Sequence, residues 1–186
     1  FFECGMLAGT KIEWKGQKGR CAVLSGSCSE ATLRQIATHA ESEMKIELDV
    51  AAVMRDEVSV NKLVSWLLAQ NGVPILYSSA SSKLVKSVQA EFGVTAVAAK
   101  LDQIFGEVAL LLVDAGIERL IVAGGETSGA VVEALALNVL SIGPEIDPGV
   151  PAMRAGKTLT LALKSGNFGA DDFFQRAALV LAGEIE

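Results

Sequence analysis

Three short stretches place glycine, serine and threonine where an apolar run gives way to a helical pattern. They are LSGSCSEAT at 24–32, VAGGETSGA at 122–130 and LKSGNFGADDF at 163–173. Glycines let a backbone approach an anion with no Cβ in the way. Helix N-termini offer unpaired N–H groups and the positive end of the helix dipole. Together such residues can hold a phosphate. Taken singly, SGSCS and SGNFG read as ordinary turns with helix caps. The Gly-Gly-Glu-Thr-Ser-Gly run is longer than a turn requires, and the three stretches together favour a nucleotide cleft.

These stretches need elements to position them, and strand and helix patterns alternate through the chain. Strand-type runs occupy 20–25, 45–50, 73–79, 118–125, 139–143 and 158–166. Helical spacing occupies 29–44, 59–72, 82–93, 94–116, 127–137 and 169–186, with Ser29 as an N-cap and Gly72 as a helix stop. The alternation predicts an α/β fold, a three-layer α/β/α arrangement around a mostly parallel, Rossmann-like sheet. In such a sheet, ligands sit beyond the carboxyl ends of the strands. If the three strands are parallel, the three loops share one edge. Residues 1–19 carry no clear period and are expected to be a poorly defined lead segment, with the nucleotide-binding domain over 20–186.

Other candidates are weaker. PAMRAGKT at 151–158 imitates a phosphate-binding P-loop, but Pro151 replaces the first glycine and a strand pattern follows where a helix belongs. Lys157 is therefore expected at the surface. Glu145 and Asp147 in GPEIDPG are expected in a loop, where acids cap turns or help to hold Mg²⁺. Glu145 also follows the glycine run at about the distance of a dinucleotide-binding acid, although no G-x-G precedes it. Lys164 reads either as a strand-end lysine or as a phosphate partner. His39 is expected to be exposed, and Phe173-Phe174 to anchor the last helix.

The 186 residues suffice for one full core. Half are apolar and the mean hydropathy is +0.41, yet no apolar run reaches membrane-spanning length. A net charge of −6 argues against a nucleic-acid partner, which would meet a basic face. It does not argue against ATP, since backbone N–H groups and a metal ion manage phosphates. The cysteines, Cys4, Cys21 and Cys28, are odd in number and lack metal-site spacing, consistent with a reducing, cytoplasmic setting.

VLSGSCSEATLRQI, VAGGETSGAVVEAL, IGPEIDPGVP and LALKSGNFGADDFF, in this order, closely resemble the carboxyl-terminal nucleotide-binding domain of the four-carbon acid sugar kinases. That family includes the 3-oxo-tetronate, threonate and erythronate kinases. The resemblance spans roughly residues 20 to 182. It implies a second, amino-terminal domain that binds the sugar acid and is expected to lie outside this chain. It implies ATP with Mg²⁺ as cofactors and a hydroxyl of a four-carbon acid sugar as the phosphoryl acceptor. The nucleotide contacts it implies are Ser25 and Ser27 in the first loop, Gly124, Gly125, Glu126 and Thr127 in the second, and Gly166 in the third. Glu126 would repel a phosphate and is expected on ribose hydroxyls or a Mg²⁺-bound water. The isolated chain is expected to be inactive, and its apolar excess hints at a homo-oligomer or a contact with the other domain. The rival readings are an NAD-dependent oxidoreductase, with Glu145 on a ribose, and a non-catalytic binding module whose glycine loops are only turns.

Overall fold

The computed structural model describes residues 14–39, 44–78 and 82–185. Cys4, residues 40–43 of the expected first helix and Ser79 of the third expected strand lie outside them. The chain runs β1 (Arg20–Ser25), α1 (Glu30–His39), β2 (Lys45–Glu47), α2 (Val50–Met54), α3 (Val60–Ala69), β3 (Ile75–Tyr77) and α4 (Ser82–Phe92). It continues α5 (Val94–Asp114), β4 (Ile117–Ala123), α6 (Gly125–Ala134), β5 (Ser141–Asp147), β6 (Val150–Ala155), β7 (Leu159–Lys164) and α7 (Phe173–Ala182).

One seven-stranded sheet has the order β2-β3-β1-β4-β7-β6-β5. The first five in that order pair in parallel, and β6 and β5 join antiparallel at one edge. Central strands are largely apolar because both faces are covered. Ala22, Leu24, Leu120 and Val122 pack against Phe105, Val108 and Leu112 of α5. Cys21, Val23, Ile121 and Ala162 pack on the other face against Phe173, Phe174 and Leu181 of α7. The three-layer α/β reading holds, and Phe173 and Phe174 anchor α7 in the core as expected.

The edge departs from expectation. Residues 143–149 are no loop: Glu145 and Asp147 lie on β5, which turns at Pro148-Gly149 into β6. Two prolines disguise this hairpin. A strand at a sheet edge tolerates proline, since no partner needs its missing N–H, and β5 pairs only with β6. The P-loop lookalike proves to be β6 and the turn into β7, with Lys157 exposed as expected. That turn feeds the amino end of β7, the opposite end of the sheet from the glycine loops. Near Val50, the carboxylate of Asp49 accepts from the N–H groups of Ala51 and Ala52. This cap ends the extended chain and starts α2, where a strand to residue 50 was expected.

His39 is not exposed. It is 2% accessible, its Nε2 lies 2.9 Å from the Val73 carbonyl oxygen, and its ring meets Phe174 edge-on. The reason is that α1 buries a largely polar stripe: Thr32, Gln35, Ile36 and His39. The spacing is that of one helix face, but hydropathy alone does not reveal a face whose burial rests on hydrogen bonds.

Candidate nucleotide site

Register brings the glycine loops together. Ser25, the last residue of β1, pairs with Ala123 of β4, and Ala123 pairs with Lys164 of β7. Three adjacent parallel strands therefore end at the same level, and each releases its loop on the same edge. The loops are stitched to one another. The Gly26 N–H donates to the Ala123 carbonyl at 3.0 Å, and the Gly124 N–H donates to the Lys164 carbonyl at 2.9 Å.

The second loop opens α6 without any side-chain cap. Gly124 holds φ +125°, a conformation that side-chain-bearing residues rarely adopt. The first-turn N–H groups at Gly125, Glu126 and Thr127 have no partner within the helix and point beyond the sheet edge. Gly125 is exposed, and a Cβ built on it would meet nothing within 4 Å. Its backbone is not crowded by the protein, which leaves room for a ligand. Glu126 is exposed beside it, whereas Thr127 is 4% accessible and packs against Gly26 and Gly124.

The third loop is held from below. The Gly166 carbonyl accepts from Ser29 Oγ at 2.6 Å, Thr32 Oγ1 at 2.8 Å and Lys164 Nζ at 3.0 Å. Lys164 also donates to Thr32 Oγ1 and to the Ser165 carbonyl, at 3.0 and 3.1 Å. Its three ammonium protons thus meet three acceptors. The side chain is 2% accessible and sits over the Phe173 ring, and burial pulls its pKa down to about 8. Further along, Gln35 Nε2 donates to the carbonyls of Phe168, Gly169 and Ala170. Asp147 accepts from the Ala170 N–H at 2.8 Å and pairs with Arg176 at 3.5 Å.

The expected site residues accordingly fall into two groups. Ser27, Gly124, Gly125, Glu126 and Gly166 line the shared edge of the loops. A Cβ on Gly166 would lie 2.3 Å from Ser27 Oγ, so the first and third loops touch there. Ser25 and Thr127 are buried and form the floor. The Ser25 hydroxyl is fully buried and has no hydrogen-bond partner among the described residues. Glu145 stands apart. It lies three strands from β4, on an antiparallel strand, and accepts from the Gly149 N–H at 2.8 Å. A dinucleotide site wants its acid at the end of the neighbouring parallel strand, so the geometry disfavours the oxidoreductase reading.

Sequence reasoning missed the residues that position the loops. Thr32 and Gln35 appeared only as helix formers and Ser29 only as an N-cap, while Lys164 was read as a strand end or a phosphate partner and not as a support for the third loop. Their i, i+3, i+6 spacing on one face was the available signal. It also missed Asp102 of α5, whose carboxyl pKa is raised by burial and by the nearby charge of Glu126. Among the described residues there is no cluster of three metal-ligating side chains and no helix long and apolar enough to cross a membrane.

Comparison with known proteins agrees with this geometry. A family model described as "Nucleotide-binding C-terminal domain" matches residues 22–174. A 3-oxo-tetronate kinase from Brucella melitensis biotype 1 is 44% identical over 86% of this chain and 38% of its own length. The 3-oxo-tetronate kinase from Salmonella typhimurium is 39% identical over 86% of this chain and 39% of its own. A crystal structure of a Haemophilus influenzae protein superposes with a TM-score of 0.84 at 35% identity, over 90% of this chain and 42% of that one. The chain thus spans well under half the length of the relatives it matches.

Proposed function

The chain belongs to the family of nucleotide-binding C-terminal domains, and from that premise we propose that it is the ATP-binding part of a kinase acting on a four-carbon acid sugar. The observation that carries this reading is the uncapped start of α6, flanked in register by two further glycine loops. The names of the relatives support the reaction and the substrate class. The nucleotide-binding unit covers 20–186, with 1–19 leading into it, and the acid-sugar site belongs to an amino-terminal domain outside this chain. The setting is cytoplasmic.

In this reading the N–H groups of Gly125, Glu126 and Thr127 cradle phosphate oxygens and the α6 dipole favours their charge, whereas the Ser128 N–H is already given to the Gly124 carbonyl at 2.9 Å. Ser27 and Gly166 close the cradle from the sides, while Ser25 and Thr127 hold its floor. Glu126, at the exposed lip, takes a ribose hydroxyl or a Mg²⁺-bound water. The carboxylate of Glu126 suits Mg²⁺, which needs only one or two such groups beside phosphate oxygens. The ion would neutralise charge on the phosphates. Phosphoryl transfer asks mainly for positioning and charge stabilisation, and the stitched loops are suited to both. The base that activates the sugar hydroxyl belongs to the other domain, so this chain alone binds nucleotide without turnover.

Thermal unfolding with ATP, ADP or NAD, each with Mg²⁺, tests this. A ligand that binds only the folded state raises the melting temperature. A rise with ATP and ADP and none with NAD is expected. A rise with NAD alone would overturn the kinase reading.

A further inference from the structure

Beside the phosphate loops lies a cavity of about 130 Å³, walled by the first half of α5, the start of α2 and the ends of β1 and β3. Resting on the nucleotide reading above, we propose that this cavity receives the purine base of the bound nucleotide. One wall is apolar, at Val50, Val97, Ala98 and Leu101, and it is faced by the polar side chains of Ser78, Gln89, Asp102, Glu126 and Thr127. That is the make-up of a small-molecule pocket: an apolar wall with placed polar groups.

Three observations converge. The first is size. A closed apolar cavity of about 150 Å³ takes a benzene ring. This one opens to solvent, so it suits a flat heterocycle but not a whole nucleotide. The second is Ser78. It is 1% accessible and lines the cavity, and its hydroxyl has no hydrogen-bond partner among the described residues. An unpaired buried hydroxyl costs about 1–3 kcal/mol, a cost that a ring nitrogen or amino group would remove. The third is continuity. The Ser78 N–H donates to the Ser25 carbonyl at 3.0 Å, and Gly26, Glu126 and Thr127 line the cavity as well as the phosphate loops. A base in the slot puts the ribose at Glu126 and the phosphates at the start of α6. Asp102, at the slot's polar edge, accepts from an amino group of the base.

The test separates base from phosphates. Ala98→Leu fills the slot and leaves the glycine loops untouched. Titration calorimetry of both chains with Mg-ATP and with inorganic tripolyphosphate is expected to show at least tenfold weaker ATP binding in the variant, with tripolyphosphate unchanged. Equal ATP affinity in a folded variant would put the base elsewhere and leave the nucleotide reading standing. An unmodified chain that binds neither probe would overturn both. A second measurement needs no variant. Cys28 is exposed and lines the cavity. Adenosine, which has no phosphate, is expected to slow its alkylation by iodoacetamide several-fold, read by peptide mass. An unchanged rate at saturating adenosine would overturn the proposal.

Discussion

Lys164→Met is the most informative single change. Methionine keeps the length and burial of the side chain but removes the charge and three hydrogen bonds. Burial lowers the Lys164 pKa from 10.5 to about 8. At about 1.4 kcal/mol per unit, holding the ammonium there costs at most roughly 3 kcal/mol. Its bonds to Thr32, Ser165 and Gly166 offset part of that. An apolar replacement for a buried charge is often neutral for folding, so the melting temperature of the variant is expected to stay within a few degrees of the parent. Nucleotide affinity is expected to fall. The Gly166 carbonyl loses one of its three donors and the phosphates lose a nearby positive charge, a loss of about 1–2 kcal/mol, or roughly five- to thirtyfold in Kd.

The pH profile sharpens the test. The folded-state pKa lies below the unfolded one, so the penalty on stability is fully present below pH 8. It is relieved as pH rises from about 8 towards 10.5. Nucleotide binding should move the other way. A neutral amine has two N–H groups for three acceptors, so ATP affinity should decline through pH 8 in the parent and stay flat in the methionine variant. Calorimetric titrations from pH 7 to 9.5 read both. Parent-like affinity with a parent-like pH profile in the variant would refute the positioning role of Lys164.

Other changes follow from the same geometry. Glu126→Ala should weaken ATP binding about tenfold by calorimetry; tripolyphosphate binding is spared if the carboxylate serves the ribose and falls in parallel if it serves a Mg²⁺-bound water. Gly166→Ala would put a Cβ 2.3 Å from Ser27 Oγ. It should loosen the first and third loops and lower ATP affinity, with a smaller effect on the melting temperature. Phe105→Ala, at a fully buried ring, should cost about 3–5 kcal/mol in denaturant unfolding. Asp102 titrates above its ordinary value. Its contribution to stability is therefore present at acid pH and lost as pH rises from 3.8 through the raised value, and Asp102→Asn should flatten that slope in urea melts.

The central architecture was legible because its signals are local. Apolar runs at 20–25 and 118–125 end in glycines, and helical spacing follows each, which is enough to place the loops on one edge of a parallel sheet. The edge hairpin was hidden because Pro144 and Pro148 read as loop, and only the sheet's topology shows that β5 lies at the edge, where a missing N–H deprives no partner. The burial of His39, Gln35 and Lys164 was hidden for another reason. Polar residues read as exposed until their partners are known, and those partners lie more than 100 residues away for Gln35 and Lys164. The base-sized cavity could not be read at all, since Val50 of α2, Ser78 after β3 and the Ala98–Asp102 face of α5 are distant in the chain.

Phosphates are proposed to bind at the start of α6, between the first and third glycine loops. Backbone amide chemical shifts followed during titration with Mg-ATP test this directly. The largest shifts are expected on Ser27, Gly125, Glu126 and Gly166, with Lys157 and the β6–β7 turn unmoved. Shifts centred on that turn or on Glu145, or no shifts at millimolar nucleotide, would contradict it.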